Sequence, residues 1–268
     1  MTLLACGSAL LGVGVFCTAK SVSAGQTPLQ PEDKWFHSDQ TTDYYDYFPS
    51  AASQRTWQQG GATEERLQDI AIPAPVLKTI STRGLAETVL NYPMQIDLWM
   101  YDTPAMAIRA VSEQFNGIGA LASRKDAPAT LLAIYEDVSV AQVVEASDSP
   151  MIEFTTLQYL LADDGILDRL GSDGRRELIQ TALARYREIA ADDHLAEQVP
   201  VDATLWLIAR AAAVEFPESS EVVKAHPALA DYLKTGQLVA DDDEIKAIEQ
   251  KLAQLLEGNG YGKFLQDS

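Results

Sequence analysis

The side chains of this chain that could do chemistry are three histidines, a large stock of acids and a cluster of aromatic rings. His37, His194 and His226 are scattered. No two of them stand at the spacing that puts a pair of imidazoles on one helix face, and there is no His-Glu-x-x-His run, so a zinc site has no support in the sequence. Asp163-Asp164 with Asp168, and Glu136-Asp137, fall at the ends of predicted helices. Three carboxylates near one another could approach a calcium ion, but the alternating oxygen ligands of an EF-hand loop are missing. Solvation of a helix boundary accounts for these acids, and the same reading serves His194 after Asp192-Asp193. Glycoside hydrolysis needs two carboxylates facing each other across a cleft. With 39 Asp and Glu in the chain, spacing alone cannot select that pair. There is no Gly-x-Ser-x-Gly elbow, no phosphate-cradling glycine loop and no Ser-x-x-Lys. Gly117-Ile118-Gly119 follows a helix rather than a strand, which removes it as a dinucleotide fingerprint. The sequence therefore assigns no catalytic residue, no metal ligand and no cofactor.

The aromatics say more. Trp35, Phe36, Tyr44, Tyr45, Tyr47, Phe48 and Trp57 crowd into a segment, Gly25 to Gly61, that Pro28, Pro31 and Pro49 mark as irregular. Disordered tails are poor in aromatic rings, so part of this segment is expected to be pinned to the body. One reading is an arm whose rings fill grooves between helices. The other is an aromatic platform for a sugar or peptide, since such rings bury large areas and keep polar tips. On that reading Trp35, Tyr44, Tyr45, Tyr47 and Trp57 are candidate ligand-binding residues. Asp43 and Asp46 could hold a cation only with further oxygen donors.

The elements that must position these groups are helices. The chain is organised around Tyr101 to Val138, read as two amphipathic helices packed back to back. Thr103 is a predicted N-cap with Pro104 at the first helical position. Ile108, Val111 and Phe115 make one apolar stripe, and Gly117 is expected to end the helix in the left-handed conformation. Ile118 and Leu121 start a short turn, and Asp126 with Pro128 restarts a helix carrying Leu131, Leu132 and Tyr135. Upstream, Ser81 or Thr82 caps a helix that runs to Leu90 and stops before Pro93. Downstream, a helix starts at Ser149-Pro150, a turn ends at Gly171, and Ser172 caps a long helix. Its Arg175, Arg176, Arg185 and Arg187 are read as a solvated outer face. Residues 203 to 216 are apolar nearly all round and are expected to be central. Asp241 to Glu244 favour the positive end of the last helix, which Gly258-Asn259-Gly260 terminates. No segment alternates like a strand. The expected fold is all-α, a multi-helix array of antiparallel helical hairpins, α-solenoid-like or irregular, with no fixed repeat period. The expected organisation is a signal peptide at 1–24, the aromatic-rich arm at 25–61, the helical domain at 62–258 and a flexible tail at 259–268.

Charge and the first residues bound partner and compartment. The net charge is −19 with 20 Lys and Arg, which argues against nucleic acid and against anionic membrane surfaces. Leu3 to Cys17 is apolar or small, and Val22-Ser23-Ala24 resembles a cleavage site, so the start reads as a secretory signal peptide rather than a spanning helix. No Lys or Arg precedes the apolar run, and the true start could lie upstream of Met1. Leu3-Leu4-Ala5-Cys6 also resembles a lipobox, which would anchor the chain at Cys6, although an apolar run after that cysteine suits cleavage after Ala24 better. A third reading keeps the segment as a buried N-terminal helix. Cleavage would remove both cysteines and with them any disulfide or thiolate.

A set of polar and small residues carries a resemblance. Arg83-Gly84-Leu85 with Glu87, Asn91-Tyr92-Pro93, and Phe115-Asn116-Gly117 followed by Leu121, Arg124, Asp126 and Ala127 resemble an uncharacterised group of exported, all-helical bacterial proteins. The resemblance implies export to the periplasm or cell surface and a helical fold, and carries no site across. From the residues themselves, Arg124 and Asp126 can serve a helix junction and Asn91 a helix end. Arg83 in a first helical turn opposes the dipole, so it should pair with a buried acid or bind a ligand. The expectation is an exported, non-catalytic helical protein that presents a groove or face to a protein, peptide or glycan. The alternative is a carboxylate-dependent hydrolase of an envelope or dietary polymer, and a third reading is capture of a metal or small molecule by the acid clusters.

Overall fold

Caps and single breaks cut the chain into helices where side chains supply them. The computed structural model describes residues 43–49, 53, 55, 57, 59, 63–146, 150–199, 201–225, 227–236 and 242–261. The expected signal peptide, Cys6, Trp35, His37, His226 and the tail beyond Tyr261 lie outside the described residues. Three short helices, α1 (Thr63–Asp69), α2 (Ala74–Thr79) and α3 (Thr82–Leu90), lead through a 3-10 turn at Gln95–Trp99 into α4 (Pro104–Gln114), α5 (Asn116–Ser123) and α6 (Ala127–Asp137). Then come α7 (Val140–Ala146), α8 (Pro150–Leu161), α9 (Asp164–Ala190), α10 (Asp193–Gln198) and α11 (Asp202–Glu215). The chain closes with α12 (Ser219–Ala225), α13 (Pro227–Thr235) and α14 (Asp242–Gly258). There is no strand among the described residues.

Two of the expected caps are in place, whereas the Ser172 hydroxyl donates to Glu215 instead of capping. The Thr103 hydroxyl accepts from Met106 N at 3.2 Å, and the Ser81 hydroxyl accepts from Gly84 N at 2.9 Å. Each satisfies a backbone donor that a helix start leaves free. At the junctions, Arg124 donates to the carbonyls of Ile80 and Leu77, and Asp126 accepts from the Thr82 hydroxyl at 2.8 Å. The Asn91 amide donates to Glu87 O at the end of α3.

Gly117 corrects the expectation for the central stretch. It is inside α5 and has no positive φ; among the described residues the glycines that do are Gly171, Gly236 and Gly260. The chain turns at Phe115 alone, an extended residue between α4 and α5. Asn116 fixes that turn by pairing both ways with the Ile72 backbone, Oδ1 accepting at 3.0 Å and Nδ2 donating at 2.9 Å. Gly117 is required by space: a Cβ there would stand 2.3 Å from Phe115 Cζ. The central stretch is therefore three helices rather than two. Gly171 (φ 73°, ψ 171°) breaks α9, as the sequence suggests.

The array is irregular because each helix packs against several others. The broadest contact joins α9 to α11, and α9 also meets α6. Leu205, Trp206, Leu207, Ile208, Ala211 and Ala212 leave α11 buried on nearly every side. Inside this layer the buried Gln158 donates to the Tyr135 hydroxyl and to the Thr204 hydroxyl at 2.6 Å, which ties α8, α6 and α11. The arm joins the same core. Tyr47 is buried and its hydroxyl donates to Thr88 O at 3.0 Å, while Tyr45 N donates to the Thr88 hydroxyl. Ser53, Arg55 and Trp57 are helical, so the arm is less irregular than its prolines suggest.

Of the four α9 arginines read as a solvated face, Arg176 and Arg187 are exposed, whereas Arg175 and Arg185 are half-buried. Arg175 and Arg176 hold the buried Glu215 of α11 at 3.0 and 2.7 Å, and Arg185 donates to Glu136 O at 3.0 Å. Burial raises the phenol pKa of Tyr47, Tyr92, Tyr135 and Tyr159. These folded values lie above the unfolded value near 10, so the neutral rings stabilise the fold fully below about pH 10 and lose that contribution as pH rises through the folded values. Alkaline titration followed by circular dichroism should show a cooperative loss of helix starting above about pH 10. Phenolate absorbance from these rings should appear together with that loss.

Candidate functional site

Where α4, α8, α9, α11 and α13 meet, they leave a cleft of about 330 Å³. That is enough room for a peptide side chain or a small organic molecule. Gly236, just past the end of α13, sets one edge. Its φ of +77° suits glycine, and an added Cβ would stand 2.6 Å from Pro104 Cγ at the start of α4. Ile108 and the half-buried Tyr159 supply apolar wall. Tyr159 meets Trp206 edge-on at 5.6 Å, and the Trp206 indole donates to Leu233 O at 3.3 Å. Burial and then the charge of Asp202 push the Tyr159 phenol up to about 12, so it is a neutral donor at physiological pH.

The charges of the cleft divide into those already engaged and those left over. Arg210 stacks over the Trp206 ring at 5.7 Å and donates to Ala162 O, Leu233 O and Asp164 Oδ1. Asp163 accepts from Gly165 N at 2.9 Å as the cap of α9. Arg109 and Lys234 are exposed and have no ion pair or side-chain hydrogen bond among the described residues. The lining carries three cations against two acids in a chain whose net charge is −19. The first turn of α4 adds the positive end of its dipole through Pro104 and Ala105.

The residues singled out from the sequence lie elsewhere. Tyr45, Tyr47, Phe48 and Trp57 form a packed series: Tyr45 to Tyr47 at 5.4 Å, Tyr47 to Phe48 at 6.4 Å and Phe48 to Trp57 at 5.3 Å. Tyr47 reaches Phe115 at 6.3 Å, and Arg66 sits over Trp57. Tyr44 is half-buried beside them. Asp43 is engaged at the start of α3, where it accepts from Ser81 N and the Ser81 hydroxyl, and Asp46 accepts from Phe48 N. Arg83 pairs with the buried Glu87 at 3.4 Å and with Asp137 at 3.3 Å, the first of its two expected roles.

Asp163 and Asp164 of the acid clusters are engaged in the same way. Asp163 caps a helix and Asp164 pairs with Arg210. Among the described residues no group of three or more His, Cys, Asp and Glu could hold a metal ion. Glu136 has a raised pKa, first through desolvation and then through its hydrogen bond to, and the charge of, Glu177. Both carboxyls are exposed and neither lines the cleft, so they are not an acid pair facing across a groove. A second, apolar cavity between α11, α12, α13 and α14 holds only about 20 Å³, room for at most about one water.

Sequence reasoning missed the cleft because its residues come from helices far apart in the chain. One signal was present: Arg210 is the lone charge in the apolar run Ala203 to Val214, and a buried arginine needs partners. Fold and site together define an irregular all-α protein with an aromatic, net-cationic cleft. The chain matches no known protein family, no curated protein and no solved structure. No helix among the described residues is long and apolar enough to cross a membrane.

Proposed function

We propose that this is an exported, non-catalytic helical binding protein whose cleft between α4, α8, α11 and α13 receives a segment of a peptide partner. The observation that carries the reading is that the acids of the cleft are engaged internally while two of its cations are not. Acid–base hydrolysis needs carboxylates free to move protons, and Asp163 and Asp164 are committed to a cap and an ion pair. A peptide suits the walls better than a sugar. Sugar stacking uses an open ring face, whereas Trp206 is 3% exposed and carries Arg210 against its ring. Export rests on the apolar run Leu3 to Cys17 followed by Val22-Ser23-Ala24, with placement in the periplasm or at the cell surface of a bacterium.

The test is selection of displayed random peptides on the immobilised chain, compared with Ala105→Trp. Ala105 is exposed on the cleft wall, so the indole fills the cleft without entering the core. Peptides retained by the wild type and lost by the variant support the reading. Peptides that bind both alike, or none retained at all, overturn it.

A further inference from the structure

We infer that the cleft is selective for a carboxylate carried on an apolar body, the chemistry of a peptide's C-terminal residue or of a free acid with an apolar tail. The inference rests on the binding role proposed above and adds the chemical class of the ligand. Ion pairing inside the cleft leaves two cations against one carboxylate, that of Asp163, which is held at the start of α9. Asp164 neutralises Arg210 at 2.5 Å, and the other two guanidinium nitrogens of Arg210 donate to the carbonyls of Ala162 and Leu233. Asp163 spends one oxygen on Gly165 N. Arg109 from α4 and Lys234 from α13 remain, both exposed and both without a partner among the described residues.

Elsewhere Arg83, Arg175, Arg176, Arg185 and Lys224 hold acids, while Lys78 and Lys125 are exposed without an ion pair among the described residues. Arg109 and Lys234 differ from those lysines in sharing the lining of one cleft. A carboxylate gains charge-assisted hydrogen bonds from Arg109 and Lys234. The Tyr159 hydroxyl, which makes no hydrogen bond among the described residues, is a third donor on the same lining. Ile108 and the Tyr159 ring then face the part of the ligand that is not charged. A strongly hydrated ligand with no apolar part would leave that wall wet, which separates this chemistry from a simple inorganic anion.

The experiment is isothermal titration of the full chain with four probes: N-acetylphenylalanine, its primary amide, a short peptide ending in phenylalanine with a free C-terminus, and the same peptide amidated. Binding of at least one free acid, with its amide weaker by on the order of tenfold, is expected, since a hydrogen bond to a charged group contributes about 1.5–3 kcal/mol. Arg109→Ala and Lys234→Ala should each weaken the acid by a similar factor and leave the melting temperature unchanged, because both side chains are exposed. Raising salt from about 0.05 M to about 0.5 M should weaken it further. Preference for the peptide over the free amino-acid derivative identifies a chain terminus as the source; equal binding identifies the small acid. No heat with either acid overturns the inference, as does equal affinity for acid and amide. Binding of a polyuronate with no response to the acids overturns it in favour of an acidic glycan. Should acid and amide bind alike and Ala105→Trp abolish both, the carboxylate is wrong and the binding cleft stands; should peptides bind the filled variant unchanged, the cleft itself fails.

Discussion

Glu215→Ala should lower the unfolding free energy by about 3 kcal/mol, the low end of what removing one partner of a buried ion pair costs. Glu215 stands at the end of α11 with its side chain 2% exposed, and it accepts from Ser172 at 2.5 Å, Arg176 at 2.7 Å and Arg175 at 3.0 Å. These groups lie just past the Gly171 break, so the carboxylate fastens the restarted part of α9 onto the most buried helix. The low end applies because Arg176 is 57% exposed and can return to water, whereas Arg175 at 15% cannot do so fully. For a chain of this size the loss corresponds to roughly 6–12 °C in melting temperature. Burial alone would raise the Glu215 pKa; the hydrogen bonds from Ser172, Arg176 and Arg175, with the charge of Arg175, outweigh it and hold the carboxyl below its usual range. A folded pKa below the unfolded one gives stability that is full above about pH 4.3 and is lost as pH falls through the folded value. The gap between wild type and variant should therefore narrow in acid. A variant that melts within a degree or so of wild type at neutral pH would contradict the account of this cluster.

Phe115→Ala should cost about 4 kcal/mol, within the range for truncating a buried phenylalanine. Phe115 is 1% exposed, stacks on Tyr92 at 4.3 Å and meets Tyr47 at 6.3 Å. It is also the single residue at which α4 turns into α5, so its ring sets that corner against the arm. The cavity should loosen the arm more than the helices. Amide exchange at Tyr45, whose N–H reaches the Thr88 hydroxyl at 2.8 Å, should speed up before the amides of α11 do. Uniform acceleration across both segments, or none, would show that the arm is held by something other than this ring.

How much of this was legible in the sequence depends on range. Thr103 and Ser81 act within three residues of themselves, and their capping roles can be read directly. The apolar run of α11 announced a central helix because burial on all sides needs no partner to be named. Gly117 misled because glycine satisfies two demands, a left-handed φ and lack of volume, and only the position of the Phe115 ring shows which one applies. Arg175 and Arg176 looked like a wet face because their acid is 40 and 39 residues away. The cleft was illegible for the same reason: nothing local tells Arg210, used up by two carbonyls and an aspartate, from Arg109, which is not. The aromatic arm was half legible. Its rings had to pack somewhere, but whether on helices or on a ligand is decided by Phe115 and Thr88, outside the arm.

Residue-resolved hydrogen exchange of the chain, with and without a peptide that selection shows it to retain, tests the binding role most directly. The account predicts added protection in the first turns of α4, at the end of α8 and in α13 near Lys234, with the 43–49 arm unchanged and the peptide recovered intact. Protection confined to the arm, or cleavage of the peptide during the incubation, would contradict it.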